Sequence, residues 1–127
     1  MTTNILIIAH APLASALRAC VGHVFAERLH TVAALDVQAS DSPEDVLQQA
    51  QVLRQGLGPE PTLVLSDVMG ATPCHVAAKL VKDTQDKHLC GVNLPMLWRS
   101  VAYQHEAVAQ VAQRAMEGGQ QGMMTPP

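Results

Sequence analysis

Aromatic residues are scarce in this chain: Phe25, Trp98 and Tyr103 are the only three among 127 residues. Proteins that stack bases along a single strand need more such surfaces. A basic excess is missing as well. Lys and Arg total 8 against 11 Asp and Glu, a net charge of −3 with histidine neutral. Nothing here drives counterion release from a phosphodiester backbone, so no nucleic-acid partner is expected. Cys20, Cys74 and Cys90 form an odd, widely spaced set without C-x-x-C, which argues against a disulfide framework and a thiolate zinc site. No apolar run approaches a bilayer span, and no basic stretch precedes an apolar one at the N-terminus. The expectation is a cytoplasmic protein with no direct membrane insertion. No G-x-G-x-x-G follows the first apolar run and no G-x-x-x-x-G-K-[ST] occurs, which removes dinucleotide and P-loop readings. Residues 4–9 hold no acidic pair for magnesium, so a receiver-type phosphoacceptor aspartate is not expected either.

What is present suffices for one core, since 48% of the residues are apolar. The expected organisation is a single domain over residues 1–118 and a flexible tail over 119–127. Ile5 to Ala9 is a continuous apolar run rich in β-branched residues, the pattern of a strand buried on both faces. Pro12 then opens a helix to about Glu27, with Leu13, Leu17, Cys20, Val21 and Val24 at helical spacing. Thr31 to Leu35 reads as a second strand. Ser42-Pro43-Glu44-Asp45 is a helix start with an N-cap serine, and Gly56 to Pro59 ends that helix. Thr62 to Leu65 is a third strand, followed by a loop over 66–71 and a second cap-plus-proline start at Thr72-Pro73. Lys87 to Val92 is a short fourth strand. A further helix opens at Pro95, with a break near Gln104 and an apolar stripe continuing to Ala115. The alternation of strands and helices predicts an α/β fold: an open, mostly parallel, doubly wound sheet of about four strands, with room for an extra edge strand, and helices on both faces.

In such sheets ligands bind beyond the carboxyl ends of the strands, at the switch in strand order. His10 ends the first strand and Asp67 follows the third. If those strands are neighbours, both side chains emerge on one edge. A carboxylate that accepts from one ring N–H fixes the imidazole tautomer and leaves the other nitrogen as a nucleophile. The helix starts after each strand bring unpaired N–H groups that attract anions. Thr72, Gly70, Ala71 and Ala11 are the candidate phosphate-binding positions. His75, in the first turn of the third helix, lies close to this group and reads as an exposed residue or a neighbour of the site. His23 and His30 suit the surface near the end of the first helix, and His88 and His105 have no partners at ligand spacing. No metal cluster is visible, and Cys74 reads as a small buried hydrophobe.

Three segments carry a family resemblance. Residues 7–17, with Ala9-His10-Ala11-Pro12-Leu13-Ala14, are similar to a strand–His-Gly-x-Leu-Ala–helix pattern. Residues 65–73, with Asp67-Val68-Met69-Gly70-Ala71-Thr72-Pro73, resemble an Asp-x-x-Gly-[Gly/Ala]-[Ser/Thr]-Pro loop. Gly91-Val92-Asn93-Leu94-Pro95-Met96-Leu97 matches Gly-x-Asn-Leu-Pro-Met-Leu. On these motifs the chain resembles the IIA component of the mannose class of the bacterial phosphotransferase system (PTS). The resemblance implies a phosphohistidine carrier in which His10 accepts phosphate from phosphorylated HPr and Asp67 orients it. Thr72 would hydrogen-bond the phosphate. It also implies a homodimer, no cofactor or metal, and onward transfer to a IIB-type protein or a regulatory partner. The chain would hold the IIA unit alone and transport nothing by itself. Ala11 stands where the family has glycine, Met69 where it often has an aromatic residue, and Cys74-His75 where Phe-Asn is common. The alternative is a small metal chelatase with His10 as metal ligand, which leaves the Asp67 loop and residues 91–97 unexplained. A histidine phosphatase needs an arginine before the histidine, and Ala9 is there instead.

Overall fold

The structure is a computed structural model that describes residues 2–127. Strand β1 (Asn4–His10) is buried along its length except at His10. Its four large apolar side chains, Ile5 to Ile8, are wholly inaccessible. Each such burial stabilises by roughly 1.5–3 kcal/mol, which fixes this strand at the centre. β2 (Val32–Val37) and β3 (Thr62–Ser66) pair with it in parallel on either side, and β4 (Lys87–Leu89) pairs parallel with β3. The order is β2-β1-β3-β4. The expected open parallel sheet is therefore observed, and the switch point lies between β1 and β3.

Helices cover both faces, divided by the parity of the strands. Ile5, Ile7, Ala9, Leu63 and Leu65 pack on α1 (Leu13–Val21), α4 (Leu94–Ala102) and α5 (Val108–Gln121). Leu6, Ile8 and Val64 pack on α2 (Pro43–Gly56) and α3 (Thr72–Val81). The Ser42 hydroxyl caps α2 by accepting from the Asp45 N–H at 3.2 Å, and Pro43 fills the first turn.

Several boundaries differ from the sequence expectation. The first helix ends at Val21 and not near Glu27. Beyond Gly22 the chain tightens into i→i+3 bonds (His23 N–H to the Cys20 carbonyl, 3.2 Å; Val24 N–H to Val21, 3.2 Å), and a 3₁₀ helix follows at Ala26–Thr31. Pro12 is the N-cap of α1, one residue outside the helix. β2 starts at Val32 and continues to Val37, because its last residues pair in register with Ala9 and His10. β4 stops at Leu89, where the chain leaves the sheet through Gly91 at φ +84°. The expected tail is helical as far as Gln121, and Gly118 and Gly119 are buried. The reason is close helix packing: a Cβ on Gly118 would sit 2.8 Å from the Arg99 Cβ, and one on Gly119 would sit 3.0 Å from the Met96 Cε.

Candidate functional site

The carboxyl ends of β1 and β3 bring His10 and Asp67 together, as their strand positions predict. The His10 ring Nδ1 lies 2.7 Å from Asp67 Oδ2. The His10 backbone N–H donates to the same oxygen at 2.8 Å. The other carboxylate oxygen, Oδ1, accepts from the Val68 N–H at 2.8 Å. The imidazole is 52% exposed, whereas the Asp67 side chain is only 8% exposed. A nearly buried acid thus holds a solvent-facing ring.

Partial burial is the largest influence on the Asp67 carboxyl and pushes its pKa up. The His10 amide, the His10 ring and the Val68 amide together outweigh it and hold the pKa below the ordinary 3.8. The group is therefore a carboxylate at neutral pH and can only accept hydrogen bonds. Nδ1 must carry the proton of the 2.7 Å contact. In the neutral ring the other nitrogen, Nε2, then carries the lone pair, on a side chain that is 52% exposed.

The Asp67 backbone is itself anchored by the segment after β4. Gly91 N–H donates to the Asp67 carbonyl at 2.9 Å, and Val92 N–H donates to the Ser66 carbonyl at 2.9 Å. Gly91 reaches this position with a left-handed φ that favours glycine. Asn93 then caps α4 through its Oδ1, which accepts from Met96 N–H at 2.9 Å, and its Nδ2 donates to the Gly119 carbonyl at 3.1 Å. Residues 91–93 therefore brace the aspartate from behind. In the sequence the one structural signal for this brace is Gly91, which the family likeness includes only as part of a motif.

The four phosphate-binding candidates divide. Ala11 is a correction: its N–H donates to the Val37 carbonyl at 2.9 Å, continuing the β1–β2 ladder, and offers no free donor. Ala71 N–H makes a longer bond of 3.3 Å to the Val68 carbonyl. Ala71, and not Thr72, is the N-cap of α3; Thr72 and Pro73 occupy the first turn. Among the described residues, the N–H groups of Gly70, Thr72 and Cys74 and the Thr72 hydroxyl donate to no protein acceptor. The start of α3 thus keeps several open donors.

The start of α1 does not match it. Asp36, at the end of β2, accepts from the Ser15 N–H at 3.0 Å and from the Ser15 hydroxyl at 2.5 Å. A carboxylate already occupies the first turn of α1, so the expected convergence of two vacant helix termini is corrected to one, that of α3. Asp36 is not legible as a site neighbour in the sequence because the apolar run of β2 stops at Leu35, one residue before it.

His75 Nε2 lies 3.0 Å from the Gly70 carbonyl, beside the site. His88, on β4, bonds the buried Ser66 hydroxyl at 2.7 Å; burial lowers its pKa below 6.5. No group of three or more His, Cys, Asp or Glu side chains among the described residues is arranged to hold a metal ion. No helix among them is long and apolar enough to cross a membrane.

Comparison with known proteins adds independent findings. Residues 4–116 match the family model described as "PTS system fructose IIA component". Among solved structures, the chain is similar to the mannose/sorbose specific IIA subunit of the phosphotransferase system from Enterococcus faecalis. That pair shares 25% identity and a TM-score of 0.88, covering 100% of this chain and 96% of the other. Similarity to phosphotransferase system component EIIA from Streptococcus agalactiae is comparable, at 25% identity and a TM-score of 0.86 over 97% of this chain and 96% of that one. The PTS IIA protein associated with the fucose utilization operon of Streptococcus pneumoniae shares the fold, with 17% identity and a TM-score of 0.83 over 98% and 96% of the two chains. No curated protein matches the chain.

Proposed function

The chain belongs to the PTS fructose/mannose IIA family, and from that premise we propose that His10 Nε2 is the atom on which it carries the phosphoryl group. Membership establishes a phosphoryl carrier of the sugar phosphotransferase system that works with HPr and IIB components, and it leaves the metal-chelatase alternative without support. The observation that carries the assignment to His10 is the 2.7 Å contact of Nδ1 with Asp67 on a half-exposed ring.

The transfer balances without a metal or cofactor. The Nε2 lone pair of His10 attacks phosphorus in line with the P–N bond of phospho-HPr. That bond breaks, and its electron pair returns to the donor imidazole. His10 becomes positively charged, and Asp67 stabilises it through the Nδ1–H bond. The open N–H groups of Gly70, Thr72 and Cys74, with the Thr72 hydroxyl, are suited to the phosphoryl oxygens. Catalysis then consists of alignment and charge stabilisation. The reverse geometry delivers the group to a IIB-type acceptor or lets a regulatory partner read the phosphorylated state. The family likeness also supports a cytoplasmic homodimer, for which sedimentation equilibrium is the test.

Phosphoenolpyruvate, enzyme I and HPr, mixed with the protein, test the central assignment. Phosphate should accumulate on the wild type and be absent from His10→Ala. Uptake by His10→Ala at the wild-type level would reject it.

A further inference from the structure

The loop over residues 68–72 has little packing to hold its shape. Met69 is 82% exposed and Val68 56% exposed. Gly70 has φ +88°, and no atom lies within 4 Å of where its Cβ would be. The loop therefore depends on polar ties. One joins Val68 N–H to Asp67 at 2.8 Å, and a second joins Ala71 N–H to the Val68 carbonyl at a long 3.3 Å. The third comes from a side chain: His75 Nε2 lies 3.0 Å from the Gly70 carbonyl. That carbonyl meets no backbone donor among the described residues.

Gly70 C=O and Ala71 N–H belong to one peptide unit. A carbonyl only accepts, so Nε2 of His75 must carry the hydrogen. His75 thus grips one end of this planar unit, and the longer Val68 contact grips the other. Rotation of the unit would re-aim the Gly70 N–H that precedes it; the Thr72 N–H that follows is held separately, because the Ala71 carbonyl of its own peptide accepts from the His75 N–H at 3.1 Å. The side chain reaches back because His75 is in the first full turn of α3, where side chains tilt toward the helix N-terminus.

We propose that His75 is a positioning residue for phosphoryl transfer: through Nε2–H it locks the Gly70–Ala71 peptide so that the adjoining Gly70 amide meets the phosphoryl group on His10. The inference rests on the carrier reading above. It differs from it in naming a residue that acts through the Gly70 carbonyl.

The test uses His75→Leu, which removes the donor, and His75→Gln, which keeps one of similar reach. Transfer from phospho-HPr should lose about tenfold in kcat in His75→Leu with little change in KM, and His75→Gln should recover most of it. The Ala71 amide resonance should move in the leucine variant and return in the glutamine variant. Wild-type rates in His75→Leu, or equal losses in both variants, would overturn the inference. Long-range ¹⁵N spectra of the unmodified protein serve if the leucine variant does not fold: the neutral His75 ring should be protonated at Nε2, and protonation at Nδ1 would overturn the proposal. A wild-type chain that takes no phosphate on His10 would bring down the carrier reading and this inference together. Normal phosphorylation of His10 with an indifferent His75 would bring down this one alone.

Discussion

Asp67→Ala removes three hydrogen bonds with one substitution, two from His10 at 2.7 and 2.8 Å and one from Val68 at 2.8 Å. The consequences for transfer and for stability are unequal. The ring bond is charge-assisted and strengthens as His10 gains positive charge, a contribution of about 2–3 kcal/mol to the transition state. The low end of the Coulomb gain applies, because the ring is 52% exposed and water screens it. At about 1.36 kcal/mol per decade, transfer should slow roughly 30- to 150-fold. The two backbone N–H groups left behind belong to exposed residues and can bond water, so stability should fall by only about 1 kcal/mol. Asp67→Asn separates charge from geometry. One Asn oxygen can replace Oδ2 for both His10 bonds, but its NH₂ then faces the Val68 N–H, donor against donor. The asparagine variant should therefore also be slow. Rapid-quench transfer from labelled phospho-HPr, beside a thermal melt, measures both quantities. Equal transfer rates in wild type and Asp67→Ala would remove the aspartate from the mechanism.

Gly91→Ala places a side chain at φ +84°, a cost of about 1–2 kcal/mol; a lowered melting midpoint accompanied by slower transfer would mark loss of the Asp67 brace, and an unchanged midpoint would refute it. Gly118→Val collides with Arg99 on α4 and should cost about 1–3 kcal/mol by overpacking, measured by denaturant unfolding; wild-type stability would mean that α5 docks differently. Asp67 has a folded pKa lowered below 3.8, so its stabilisation is complete above that value and is lost as pH falls through the folded pKa. The stability gap between wild type and Asp67→Asn should accordingly close in strong acid. His88 has its pKa lowered by burial from 6.5, so the unfolded chain binds its proton first and stability declines as pH drops below that value. His88→Gln should flatten this decline in melts taken across the range, and parallel slopes would contradict the assignment.

The sheet was readable because β1 and β3 are unbroken apolar runs, and burial on both faces is what a parallel strand requires. The pairing of His10 with Asp67 needed one further fact, the adjacency of those strands, which the sequence leaves as a condition and the sheet order supplies. The fates of individual amides were not readable. Ala11 is a free donor or a bonded one depending on whether β2 ends at Leu35 or Val37, and apolar pattern alone does not reach across Asp36. The α5 boundary failed for a related reason. Gly118 and Gly119 carry no apolar side chain to register as periodicity, yet they pack because they have none. The brace at Gly91 and Val92 consists of backbone bonds, which residue types do not announce.

Nitrogen-15 NMR of the phosphorylated protein tests the central claim most directly. The account predicts phosphorus coupled to Nε2 of His10, with Nδ1 still protonated and shifted by the Asp67 carboxylate. Phosphorus on Nδ1, or on any residue other than His10, would contradict it.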